Sequence, residues 1–75
     1  MKEDELLEKL KKSNIPKSVY SLEGGLPNEA YCLEEMNGMW VVYYSERGNK
    51  NILGQFEHKD KAYDFLYKKI MRNYT

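Results

Sequence analysis

The side chains of this 75-residue chain that are most suited to catalysis are its single histidine and its single cysteine. His58 comes just before a helix-like segment, where the positive end of the helix dipole disfavours a charged imidazole. Cys32 lies in the middle of a strand-like run. A nucleophile needs a base within hydrogen-bonding reach, and the spacing of these two residues does not bring them together. The sequence therefore predicts a protein that is not an enzyme and has no catalytic residue.

Metal and phosphate sites are not indicated either, so we expect no metal and no cofactor. A metal site needs several Cys, His or carboxylate ligands at suitable spacing. Glu34 and Glu35 are adjacent in a strand and point to opposite faces. Gly24-Gly25 lacks the lysine and the following helix of a phosphate-binding loop. One cysteine forms no internal disulfide, and neither a membrane span nor a signal peptide is indicated, so we expect a cytoplasmic protein.

The most distinctive patch is Tyr43-Tyr44-Ser45-Glu46-Arg47-Gly48, which places two aromatic rings, an acid and an arginine at a strand end and turn. Tyrosine and arginine are enriched among the residues that dominate protein interfaces. The arginine offers a rigid fork for a carboxylate or a phosphate. This patch is therefore a candidate protein-binding site. The structural alternative is that Glu46 and Arg47 pair with each other or with neighbours and fix the turn.

Charge is balanced overall but unevenly distributed. Residues 14–57 carry six acids and three bases, whereas residues 58–75 carry five bases and two acids. An alternative function is thus nucleic-acid binding through the basic side chains of the C-terminal helix, Lys59, Lys61, Lys68, Lys69 and Arg72. The zero net charge argues against it, because nucleic-acid-binding domains are usually strongly basic.

Hydrophobic periodicity predicts two helices and four strands in a single domain, residues 1–75. The helices are predicted at residues 3–13, before Pro16, and at 60–72. The strands are predicted at 19–22, 30–36, 39–44 and 51–56. The order α-β-β-β-β-α with short connections predicts an α+β fold, in which N- and C-terminal helices flank a four-stranded antiparallel meander.

Asn37-Gly38 is the strongest local signal, because it fits a two-residue type I′ hairpin. The register that follows divides the hairpin into two faces. We expect the bulkier face to form the core under the helices; it holds Tyr31, Leu33, Trp40, Val42 and Tyr44. The other face is also apolar; it holds Ala30, Cys32, Met36, Met39, Val41 and Tyr43, with Glu34.

We expect the two helices to cover only one face of the sheet. We therefore expect a partner protein or a second copy of the chain on the second face. The alternative is that the helices split, one to each face. Seven tyrosines, two phenylalanines and one tryptophan favour an interface.

The stretch Asn37-Gly38-Met39-Trp40-Val41-Val42-Tyr43-Tyr44-Ser45-Glu46-Arg47-Gly48 resembles a pattern in small bacterial immunity proteins of polymorphic toxin systems. Phe56, the helix start Asp60-Lys61-Ala62 and then Phe65-Leu66 extend the resemblance over residues 30–70. Lysines flank Asp60 here, where the family pattern is acidic. The resemblance implies an α+β domain that binds and blocks a cognate toxin without catalysis.

The leading hypothesis is a small cytoplasmic protein-binding domain that neutralises a toxin by stoichiometric occlusion. The residues assigned to the interface are Tyr43, Tyr44, Glu46, Arg47, Glu34, Met39 and Val41. A regulatory homodimer that pairs its sheet faces, which Val41→Lys would disrupt, and a nucleic-acid-binding module are the two alternatives.

Overall fold

The computed structural model describes residues 1–74 and contains two terminal helices and a four-stranded sheet. The α+β fold predicted from the sequence is confirmed at this level. A short 3₁₀ turn, Lys17–Val19, precedes the first strand. The elements are α1 (Glu3–Lys12), β1 (Tyr20–Ser21), β2 (Ala30–Met36), β3 (Met39–Glu46), β4 (Asn49–Phe56) and α2 (Lys59–Tyr74).

Two tight hairpins join β2, β3 and β4. Asn37 and Gly38 have φ of 51° and 82°, and Arg47 and Gly48 have φ of 51° and 79°. Positive φ at both central residues is the signature of the type I′ turn, whose twist matches that of the strands. The predicted register of the first hairpin is confirmed, from Met36 opposite Met39 onwards. The second turn is tighter than expected, so β3 and β4 each extend two residues nearer to it.

The prediction of a fully antiparallel meander is wrong, because β1 runs parallel to β2. Residues 22–29 do not turn back as a hairpin between these strands. They cross the second face of the sheet, where the Gly25 backbone contacts Glu34 and Tyr43. This crossing returns the chain to the same end of the sheet, so that β2 starts in the direction of β1.

The main core lies between one face of the sheet and both helices. Leu6 and Leu10 of α1, Leu33 and Val42 of the sheet and Leu66 of α2 are each at most 1% exposed and belong to one cluster. The expected core face is thus confirmed, and the alternative in which the helices split between the two faces is wrong. Burial of each such leucine contributes about 1.5–3 kcal/mol.

Strand β4 contains a β-bulge next to the position where aromatic rings of β4 and α2 approach its backbone. Val42 lies opposite Gly54, but Tyr43 lies opposite Ile52, so Leu53 is an extra residue on this strand. A Cβ atom at Gly54 would lie 3.1 Å from the Phe56 ring and 3.3 Å from the Phe65 ring. The glycine therefore lets the aromatic side chains of strand and helix approach the backbone closely.

Candidate functional site

Three tyrosines form a row across β1, β2 and β3 on the face that carries the helices. Tyr20 is the register partner of Tyr31, and Tyr31 is the partner of Tyr44. The ring centroids of Tyr31 and Tyr44 are 4.8 Å apart, with an interplanar angle of 58°. All three side chains are half-buried, and Tyr44 lies outside the main core cluster. We call Tyr20, Tyr31 and Tyr44 the tyrosine row.

Two carboxylates lie near one end of the tyrosine row. Partial burial raises the pKa of Tyr44, and the negative charges of Glu29 and Glu46 raise it further. Both glutamates are exposed, and within residues 1–74 neither side chain makes an ion pair or a hydrogen bond. The row therefore presents aromatic surface beside two carboxylates that form no ion pair within residues 1–74.

Glu46 and Arg47 lie at the tip of the second hairpin. Glu46 ends β3 and faces the same side of the sheet as Tyr44, because side chains two residues apart share a face. Arg47 occupies the first central position of the turn and is exposed. The alternative that these two residues pair with each other has no support, since no ion pair joins them within the described chain.

Tyr43 and Tyr44 are adjacent in the sequence but are placed in different environments. Tyr43 is 0% exposed and lies on the second face. Its hydroxyl is 2.7 Å from the Gly25 carbonyl oxygen and 3.1 Å from Glu34 Oε1. The hydroxyl has a single proton to donate, and the shorter distance favours the carbonyl. Burial is the main cause that raises the pKa of Tyr43 above its ordinary value.

Glu34 anchors the loop that crosses the second face. Its Oε1 accepts a hydrogen bond from the Gly25 backbone N–H at 3.2 Å, and Lys50 Nζ lies 3.4 Å from it. These contacts, led by the Gly25 N–H, hold the pKa of Glu34 below its ordinary value. Lys50 also lies 5.0 Å from the Tyr43 ring centroid. Glu34 is therefore occupied by contacts within its own chain.

The rest of the second face is largely buried as well. Val41 is 3% exposed and packs with Ala30, Cys32 and Tyr43 in a second small cluster, which Met36 and Met39 flank half-buried. Neither Val41 nor Tyr43 presents surface to a partner in this structure. Among the residues assigned to an interface, Tyr44, Glu46 and Arg47 lie together at one end of the sheet, whereas Val41, Met39 and Glu34 lie on the opposite face.

Tyr20 and Tyr31 join the candidate surface without having been assigned to it from the sequence, and Glu29 of the acidic segment 14–57 joins them. The hairpin register already placed Tyr31 opposite Tyr44, so that pair was accessible to sequence reasoning. Tyr20 was not, because its position depends on the parallel pairing of β1. Tyr20 also lines an open groove of about 470 Å³ between α1 and β1, together with Leu7 and Lys17.

The basic side chains of α2 divide into two groups. Lys59 Nζ lies 4.8 Å from the Trp40 ring centroid, and Lys69 Nζ lies 5.4 Å from that of Phe65. Lys61, Lys68 and Arg72 make no such ring contact within residues 1–74 and are exposed, as Lys59 also is. Two of the five basic side chains therefore contact aromatic rings of the protein itself, which leaves fewer of them to bind phosphate groups.

The chemically reactive side chains lie apart. Burial raises the pKa of the Cys32 thiol, which favours the protonated form and not the nucleophilic thiolate. His58 is exposed just before α2. Residues 1–74 contain no group of three or more His, Cys, Asp and Glu side chains arranged to hold a metal ion. Within the same range, no helix has the length and apolar character needed to cross a membrane.

Comparison with known proteins gives no match: no family model fits the chain, and neither the curated proteins nor the solved structures include one with significant similarity.

Proposed function

We propose that the chain is a small protein-binding domain of the immunity type, which neutralises a cognate toxin in the cytoplasm by stoichiometric binding. The observation that carries the proposal is the tyrosine row with Glu29 and Glu46 beside it. Tyrosine supplies a large contact area at low cost in side-chain entropy, and it is enriched in the energetic centres of interfaces.

The placement of the row suits occlusion of a partner. Strand pairing holds Tyr20 and Tyr31 side by side, and both pack against the main core. Their ring positions are therefore set before binding, which lowers the entropy that association costs. Blocking a toxin by covering its active surface requires no catalytic group on the inhibitor, only a rigid and complementary surface.

The acidic residues at the row favour a protein over a nucleic acid as the partner. Phosphate groups would be repelled by Glu29 and Glu46, which no basic side chain within residues 1–74 neutralises by an ion pair. Arg47 at the neighbouring turn is exposed and adds a donor for a carboxylate of the partner. The proposed interface thus comprises the tyrosine row, Glu29, Glu46 and Arg47.

Growth protection tests the proposal. Each gene next to the native locus is expressed in a bacterial host with and without this chain. We expect one product to arrest growth when it is alone, growth to be restored by co-expression, and the two proteins to co-purify at equal stoichiometry.

Variants connect protection to the surface. Tyr44→Ala combined with Glu46→Ala removes a ring and a carboxylate of the proposed interface and should abolish protection. Tyr74→Ala is the matched control, because Tyr74 is an aromatic residue 48% exposed at the end of α2. If no neighbouring product is toxic, or if the double variant protects as well as the wild type, the proposed function or its site is wrong.

A further inference from the structure

The aromatic rings of this chain differ in whether a cation covers them. Lysine ammonium groups lie within 4.8–5.6 Å of the ring centroids of five aromatic residues. Those residues are Trp40, Tyr43, Tyr63, Phe65 and Tyr67. Within residues 1–74, no lysine or arginine makes such a contact with the tyrosine row, although its three rings are half-buried and the charges of Glu29 and Glu46 act on Tyr44 at one end.

A tyrosine ring that no cation contacts, next to carboxylates without ion pairs, is a favourable environment for a cation. The negative face of the ring attracts a cation, by about 0.5–2 kcal/mol depending on desolvation. Glu46 lies two residues from Tyr44 on the same face of β3 and adds attraction at this end of the row. The negative charge of Glu29 acts on Tyr44 as well. Arg47 on the neighbouring turn makes neither an ion pair nor a ring contact within residues 1–74, so a partner can supply the complementary charge.

We propose that the tyrosine row binds an arginine side chain in a cationic segment of the partner protein. Arginine fits better than lysine, because its planar guanidinium stacks on a tyrosine ring while its edge donates two hydrogen bonds to one carboxylate. Tyr44 provides the ring and Glu46, on the same side of β3, provides the carboxylate. This inference rests on the proposed function, since it names the chemistry of the segment that the interface recognises.

Short peptides test the inference without the toxin. An arginine-glycine peptide, a lysine-glycine peptide of equal length and charge, and a short oligothymidylate are titrated into ¹⁵N-labelled protein. We expect the arginine peptide to shift the backbone amide signals of Tyr31, Tyr44 and Glu46, and to bind more tightly than the lysine peptide. Equal binding of the two peptides, or binding of the oligothymidylate at these residues, would overturn the inference.

Three variants locate the contact. Tyr44→Leu, and separately Glu29→Gln with Glu46→Gln, should each weaken binding of the arginine peptide about tenfold, which corresponds to one cation–π or charged contact. The carboxamide variant changes only exposed side chains, so it keeps the result interpretable if Tyr44→Leu unfolds the protein. Tyr74→Leu should bind like the wild type.

Unchanged affinity in the carboxamide variant, or equal loss in Tyr44→Leu and Tyr74→Leu, would refute the site. The peptide-binding experiment and the growth-protection experiment can fail independently of each other. Peptide binding at the row without a toxic neighbour would remove the proposed function alone, and protection without peptide binding would remove only the arginine inference.

Discussion

Removing the Tyr43 hydroxyl should destabilise the protein, although only one oxygen atom is lost. In Tyr43→Phe the buried ring and its contact with Lys50 remain, whereas the hydrogen bond to the Gly25 carbonyl at 2.7 Å disappears. Such a hydrogen bond contributes about 1 kcal/mol net, and an acceptor left buried without a partner costs about 1–3 kcal/mol. We therefore expect a loss of about 1–2 kcal/mol in the free energy of unfolding.

Urea denaturation followed by far-ultraviolet circular dichroism measures this loss. With a slope of about 1 kcal/mol/M for so small a protein, the midpoint should fall by about 1–2 M. The melting temperature should fall by about 4–16 °C. Tyr44→Phe is the matched control, since its hydroxyl makes no hydrogen bond within residues 1–74, and its effect should stay within about 0.5 kcal/mol.

Equal stability of Tyr43→Phe and Tyr44→Phe would refute the assignment of the loop contact. A slope that changes along with the midpoint would indicate instead that the substitution altered the compactness of the native or the denatured state. A midpoint shift at constant slope is the result that the structure requires.

Three further changes test the second face. Gly24→Ala should lower the free energy of unfolding, measured in urea, more than Gly38→Ala does. Both positions have positive φ, which costs about 1–2 kcal/mol for alanine. Only at Gly24 would the new Cβ also collide with a side chain, that of Glu34. Because the folded pKa of Glu34 is lowered, its stabilisation is present above pH 4.5 and is lost as the pH falls through the folded pKa. Glu34→Gln should therefore flatten the acid limb of the stability profile, whereas Glu35→Gln, at an exposed position, should leave it unchanged. Val41→Lys should unfold the chain by circular dichroism, because it buries an unpaired charge at a cost of several kcal/mol; a folded Val41→Lys variant would show that the second face opens.

The fate of Val41→Lys also bears on the homodimer alternative. That substitution was expected to separate two sheet faces in contact, on the premise that Val41 is exposed. At 3% exposure its effect on oligomeric state would be confounded by its effect on folding. An exposed residue of the same face, such as Ile52 at 48%, is the appropriate position for that test.

Local signals predicted the hairpin well and the first strand poorly. Asn37-Gly38 specified both the turn type and the register, because few residues other than Asn and Gly accept positive φ at both positions. Arg47-Gly48 forms the same turn, yet arginine at positive φ gives no such signal. The direction of β1 depends on where residues 22–29 run, and that is decided by hydrogen bonds of Gly25 with side chains from β2 and β3. Such long-range contacts leave no periodic pattern in the sequence.

The same loop changes which surface is available for binding. An apolar second face suggested that a partner covers it, but the chain covers much of it with its own loop and buries Tyr43 there. Because side chains alternate along β3, Tyr44 lies on the other face, on the same side as Glu46 and outside the main core cluster. Two adjacent tyrosines consequently have separable roles: Tyr43 stabilises the fold, and Tyr44 belongs to the proposed interface. Substitutions at Tyr43 should therefore change the free energy of unfolding, whereas Tyr44→Leu should change the affinity for the arginine peptide. A reversal of these two effects would contradict the assignment of Tyr43 to the buried second face and of Tyr44 to the proposed interface.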